Sequence, residues 1–121
     1  MKQFRFRNFQ VYKDSLTFRK KVVIYVKKFP KSEQFILSSQ TLRALNSILL
    51  NIAEGSGRNT DKDFAHFLNL AYGSLNEVIS CLDISLDEKY ITQQQYEELT
   101  INADNLGKQL TAFRQKVTKN K

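Results

Sequence analysis

The sequence predicts an all-α protein, an up-down-up-down antiparallel four-helix bundle, and three observations carry that expectation. Between residues 10 and 118 only Phe29-Pro30-Lys31-Ser32 and Gly55-Ser56-Gly57-Arg58-Asn59 interrupt the chain strongly, with a weaker break near Tyr90, which leaves four segments each long enough for a helix. Within those segments apolar residues recur at steps of three and four. Alternation of the strand type is confined to Phe4-Arg5-Phe6-Arg7. The 121 residues are one domain's worth of chain, 41% apolar and 26% charged, and 4 Gly with 1 Pro exclude collagen-like and low-complexity proteins. An N-terminal basic and aromatic arm (1–9) and a basic tail (118–121) flank the bundle.

The first helix is expected over residues 10–28. Pro30 ends it, because its ring clashes with the preceding turn and it has no N–H to donate. Tyr12, Leu16, Val23 and Val26 form one stripe and Val11, Phe18, Val22, Tyr25 and Phe29 an adjoining one. Together they span roughly 180°, wider than a monomer's surface helix needs. The remaining arc carries Lys13, Lys20, Lys21, Lys27, Lys28 and Lys31. The second helix, 38–54, follows the seam Leu42, Leu45, Leu49 and Ile52, with Gly55 and Gly57 supplying the backbone freedom that ends it.

The third helix, 61–88, repeats Phe64, Leu68, Ala71, Leu75, Val78 and Leu82, and the fourth, 93–117, repeats Tyr96, Leu99, Ala103, Leu106, Leu110, Phe113 and Val117. Thr60 with Asp63 and Thr92 with Gln95 have capping-box spacing at the two starts. Short connections between long helices favour antiparallel neighbours.

Charge is unevenly spread. Residues 1–31 hold ten Lys and Arg against Asp14 alone, a net +9, while 32–61 come to −1, 62–91 to −3 and 92–121 to +2, for a total of +7. A polyanionic partner, nucleic acid or an acidic protein, suits this asymmetry. Lys13, Lys20 and Lys27 repeat every seven residues and make a row able to neutralise successive phosphates without reading bases. Arg5 and Arg7, alternating with Phe4 and Phe6, offer either base stacking with phosphate pairing or a short extended strand docked on a neighbouring bundle.

A second stripe on the third helix, Leu70, Ser74, Glu77, Cys81 and Ile84, and a second face on the second helix, Gln40, Arg43, Ser47, Leu50, Asn51 and Glu54, add to the unusual apolar width. Leu50, Leu70 and Ile84 point to burial against another subunit. Gly73 and Ser74 admit close approach of a backbone. Glu77, in mid-stripe, is expected to pair with Gln40 or Arg43.

Catalytic and metal chemistry find little footing. His66 is the only histidine and Cys81 the only cysteine, so no intrachain disulfide and no two-histidine metal motif can form, and the expectation is no cofactor, no metal and no enzymatic activity. Fifteen residues of helix hold Cys81 and His66 about 22 Å apart, too far for a nucleophile and its base. Gly55-Ser56-Gly57 lacks the Lys-Ser/Thr of a phosphate loop. Charges interrupt every apolar run at the N-terminus, so neither a signal peptide nor a membrane span is expected, and the compartment is the reducing cytoplasm.

The motifs Phe9-x-Val11-Tyr12-Lys13, Phe29-Pro30-x-x-Glu33, Gln40-x-x-Arg43-Ala44-x-x-Ser47-Ile48-x-x-Asn51-Ile52-Ala53-Glu54-Gly55-x-x-Arg58 and Phe67-Leu68-x-x-Ala71-x-Gly73-Ser74-Leu75-x-Glu77 resemble the four-helix-bundle family encoded in intervening sequences of bacterial 23S ribosomal RNA genes, often labelled ribosomal proteins. The resemblance runs from about Phe9 to Tyr90. Leu45-Asn46 departs from the small apolar residues the family more often has there. The family is similar in fold to the accessory variability protein of diversity-generating retroelements, a basic homopentameric barrel that engages a reverse transcriptase and nucleic acid. The resemblance therefore implies a homo-oligomeric ring, with five subunits the favoured count, association with RNA or DNA, and a reverse transcriptase or another nucleic-acid enzyme as a further partner. The alternative is a protein-assembly adaptor whose basic face meets an acidic protein.

Overall fold

The computed structural model describes residues 2–119; Met1 of the arm and Asn120 and Lys121 of the basic tail lie outside it. Four α-helices account for most of the chain: α1 (Gln10–Val26), α2 (Leu37–Ser56), α3 (Asp61–Asp87) and α4 (Gln93–Lys119), preceded by 3-10 helix over Lys2–Asn8 and with a 3-10 turn at Lys31–Glu33. Each helix packs on the next and α4 returns to α1, closing a four-sided bundle. Its antiparallel course shows in the cross-helix bonds, Ser74 to Ser47 and Gln40 to Glu77 between α2 and α3, and Gln109 to Asp14 between α4 and α1.

The expected seams form the core. Leu45, Leu49 and Ile52 of α2, the whole α3 series from Phe64 to Leu82, and Leu99, Ala103, Leu106, Leu110 and Val117 of α4 are buried, with Leu42, Tyr96 and Phe113 half-buried at its edge. On α1 the buried set is narrower than the periodicity suggests. Val11, Phe18, Val22 and Val26 are buried, whereas Leu16 is exposed and Ile24 stands among the lysines.

Helix starts follow side-chain chemistry. Thr92 and Gln95 make a complete capping box, Gln95 N–H to Thr92 Oγ1 at 3.1 Å and Thr92 N–H to Gln95 Oε1 at 2.9 Å. Thr60 Oγ1 accepts from Asp63 N–H at 3.1 Å, but among the described residues Asp63, a methylene shorter than Glu, returns no bond. The first helix stops two residues short of the expected 28. Lys28 N–H bonds Tyr25 O and Phe29 N–H bonds Val26 O, i to i−3 bonds that tighten the last turn, and Phe29 folds back onto Tyr90 with ring centres 5.4 Å apart.

Gly55 does not end α2; the helix continues through Ser56, and Gly57 is its cap. The reason for glycine is close approach. A Cβ at 55 would lie 2.7 Å from Phe67 Cβ and 3.0 Å from Phe64 Cδ1, and the first of those atoms cannot swing away by changing rotamer. Gly73, on the outside of α3, has nothing within 4 Å of such a Cβ. Opposite outcomes are therefore expected from one substitution: Gly55→Ala lowers stability by about 1–3 kcal/mol through overpacking, while Gly73→Ala raises it by about 0.5–1 kcal/mol through helix propensity. Urea denaturation of the two variants checks the signs.

Candidate nucleic-acid interface

The arm is not an extended strand. It coils into 3-10 geometry, kinked at Phe4 (φ −120°, ψ 42°), and docks on its own bundle. Arg5 lies over two rings, 5.5 Å from the centre of Phe9 and 5.4 Å from that of Phe64, and donates to Ser56 O at 3.2 Å. Phe6 meets Tyr12 edge-on at 5.0 Å, and Arg7 covers Phe4 at 5.1 Å. Arg5 and Phe6 thus close the end of the core, where Phe9, Phe64 and Phe113 pack on one another. The strand-like alternation of this segment arises because two aromatic rings need a surface and two cations need rings and a carbonyl, all of which the bundle end supplies.

The lysines behave differently. Lys13, Lys20, Lys27, Lys28 and Lys31 are exposed and Lys21 is half-buried. Among the described residues the ion pairs are Arg58 with Glu54 and Lys108 with Asp104, so none of these six lysines is neutralised by a carboxylate. Asp14, the one acid among the first 31 residues, turns away to the α1–α4 seam, where Gln10 and Gln109 each donate to it at 2.9 Å. Ile24, 56% exposed, sits in the middle of the lysine arc.

The connection that follows α1 is anchored. Glu33 Oε2 accepts from the Tyr90 hydroxyl at 3.1 Å, and Gln34 Nε2 donates to Phe29 O at 3.1 Å. Desolvation, then the bond to the Glu33 carboxylate, raises the Tyr90 pKa above its ordinary 10.0. Tyr96 is raised too, first by its hydrogen bond to Asp83 at 2.5 Å and then by desolvation. In both, the folded state holds the proton more tightly than the unfolded chain. The stabilisation is therefore complete below pH 10 and is lost as pH rises through the folded-state values. In an ultraviolet titration Tyr90 and Tyr96 should ionise later than a free tyrosine, and the Tyr90→Phe, Tyr96→Phe double variant should lose that late step.

Most of the remaining motif residues cement α2 to α3. Ser74 Oγ donates to Ser47 Oγ at 2.8 Å, and Asn51 Nδ2 donates to Ser47 O at 2.8 Å and to Ser47 Oγ at 3.0 Å. Glu54 and Arg58 pair at 3.1 Å while Arg58 lies 5.1 Å over Phe67. Glu77 accepts from Gln40 Nε2 at 2.8 Å; Gln40, and not Arg43, is its partner. Arg43 lines a shallow depression with Ser39, Leu42, Asn46, Ser47 and Leu50. Asn46 accepts from Arg19 Nε at 2.7 Å, so the departure at Leu45-Asn46 ties α1 to α2, while Leu45 is buried. Leu50, Leu70 and Ile84 stand 66%, 42% and 49% exposed on the outside of α2 and α3; Leu70 and Ile84 are about four helical turns apart with Glu77 between them, and Ser74 and Cys81 of the expected second stripe are buried.

Cys81 is buried, and burial above all, with the Glu77 charge adding, pushes its thiol pKa up despite an opposing hydrogen bond with Thr41. His66 packs edge-on against Phe67. Among the described residues no three His, Cys, Asp or Glu side chains converge, and no helix is long and apolar enough to cross a membrane. Sequence reasoning passed over Phe35 and Ile36, which are fully and largely exposed beside Lys31. Their signal was two bulky apolar residues in a connection just after a proline.

Comparison with known proteins agrees with this architecture. No curated protein matches the chain. A solved structure of a protein of unknown function from the S23 ribosomal protein family of Bacteroides thetaiotaomicron VPI-5482 superposes with a TM-score of 0.77 at 30% identity, covering 86% of this chain and 97% of that one. The family model for 23S rRNA-intervening sequence proteins matches residues 7–112, from the docked arm through most of α4, and the chain belongs to that family.

Proposed function

We propose that this protein is a non-enzymatic, self-associating bundle of the cytoplasm that binds the phosphate backbone of RNA or DNA along α1. The observation that carries it is six lysines free of carboxylate partners, three of them (Lys13, Lys20 and Lys21) on α1 and three (Lys27, Lys28 and Lys31) in the connection just past its end, where the expected single helical arc breaks off. Unpaired lysines clustered on one helix and the connection after it repel one another, and polyanion binding relieves that repulsion and releases the polymer's counterions. Self-association through the outer face of α2 and α3 is supported by the exposed Leu50, Leu70 and Ile84. A ring of five, the count implied by the family resemblance, multiplies a charge of +7 fivefold. Ile24, an aliphatic side chain within the lysine arc, favours the second reading, an acidic protein whose apolar residues meet it.

RNA affinity of the nucleic-acid-free protein should fall steeply with salt. Replacing Lys20, Lys27 and Lys28 with Gln should weaken binding and reduce the magnitude of the log-log salt slope by about 2, three contacts at about 0.7 each on a single strand. Equal affinity of parent and variant would leave the acidic-protein reading in its place. Native mass spectrometry checks assembly: the parent should appear as a closed oligomer, and Leu50→Lys with Leu70→Lys should release folded monomers.

A further inference from the structure

We propose that Phe35 is a stacking platform for an unpaired base, which makes a single strand, not a duplex, the preferred ligand of the lysine face. The inference rests on the phosphate-binding reading and names the substrate class of that same surface.

Phe35 is 93% exposed, the most exposed of the large apolar side chains. Nothing in its own chain covers the ring, yet the segment that carries it is folded. Phe29 is buried against Tyr90, Glu33 and Gln34 hold the turn by side-chain bonds, and Ile36 N–H returns to Glu33 O at 3.1 Å. An ordered turn that holds a ring in water has already met the ordering cost that a floppy loop would meet on binding.

Charge decides between occupants. The ring follows Lys27, Lys28 and Lys31 in the chain, all exposed and without carboxylate partners among the described residues, so the local charge favours an occupant that is negative. Glu33, the acid of the same connection, points its carboxylate at the Tyr90 hydroxyl. Asp87, the last residue of α3, and its cap Glu88 lie at this same end of the bundle, since Tyr90 two residues on packs against Phe29 and bonds Glu33; a phosphate chain on Phe35 would run from them toward the lysines. A second copy docked by the same face would set lysines against lysines, and the self-association face proposed above, Leu50, Leu70 and Ile84, lies on α2 and α3 and does not include Phe35. A nucleic-acid strand supplies both parts: phosphates for the lysines and a π face for Phe35. Only an unpaired base has that face free, because a duplex keeps its bases stacked inside. Phe4 and Phe6, the rings the sequence offers for this work, are taken by Arg7 and Tyr12.

The chain contains no tryptophan, so Phe35→Trp places a single reporter at the site. The variant is titrated with a mixed-sequence RNA of about twelve nucleotides and with the same sequence as a blunt duplex, while anisotropy of labelled RNA follows binding independently. Expected is tryptophan quenching by the single strand that saturates with the anisotropy curve, and little response to duplex. Phe35→Ala should weaken single-strand binding about tenfold, leaving the salt slope and duplex binding unchanged. RNA binding by anisotropy with unmoved tryptophan emission, or undiminished affinity of Phe35→Ala, overturns the stacking proposal and leaves phosphate binding intact. No RNA binding by the parent overturns both. An emission shift that follows protein concentration alone, or that appears with phosphatidylserine vesicles and not with RNA, assigns Phe35 to a copy contact or a lipid surface and overturns the proposal.

Discussion

The close approach of α2 to α3 is the constraint on which the rest of the bundle depends. These two helices share the most extensive packing in the molecule, and they approach closely because of what their facing positions lack. Gly55 has no side chain, and Ser47 and Ser74 are small enough to hydrogen-bond each other across the seam. Bulk at any of these points would drive the helices apart and open the core on both sides. Polar contact between the serines also fixes register, since a slip of one residue would leave two hydroxyls without each other. The sequence motif and the contact surface are the same residues, so the motif's chemistry is that of a hairpin held at short distance.

Against that hairpin, α1 has a different standing. It touches α2 and α4 along a narrower strip, and its outward half is given to lysines. Asp14 is drawn into the seam by two glutamines, which removes the nearest negative charge from the exposed side. The arm then fastens the start of α1 by Arg5, whose guanidinium caps Phe9 and Phe64. Basic residues of the first thirty-one thus divide into those that hold the fold and those that face outward, and this division follows from which of them find an aromatic ring or a carbonyl within reach.

Much of this was legible in the chain. Helical periodicity, the Thr92–Gln95 capping box, the Thr60 cap and the pairing of Glu77 with one of two candidates are set by neighbours three, four or one hairpin away, and sequence spacing encodes such distances directly. Gly55 was misread as a terminator because a glycine near a helix end has two physical uses, and only the position of Phe67 on the facing helix separates them. The arm read as a strand for a similar reason: alternating Phe and Arg fixes no backbone geometry until the rings meet Tyr12 and Phe64. Leu16 fell on an apolar stripe by angle yet lies beyond the edge of what α2 and α4 cover. Phe35 escaped notice since a single ring in a connection carries no period.

The lengths of the connections have a kinetic consequence. Turns of four or five residues join α2 to α3 and α3 to α4, so these three helices meet through contacts close in sequence, which form early and at little loop-closure cost. By contrast α1 must close a longer connection to meet α2 and must find α4 from the opposite end of the chain. Contact order therefore predicts that α1 docks last and leaves first when the bundle opens locally. Amide exchange would accordingly be fastest in the helix that displays the lysines, so that the surface offered to partners is also the most loosely held part of the molecule, and a polyanion laid along it would slow its opening by binding only the docked form.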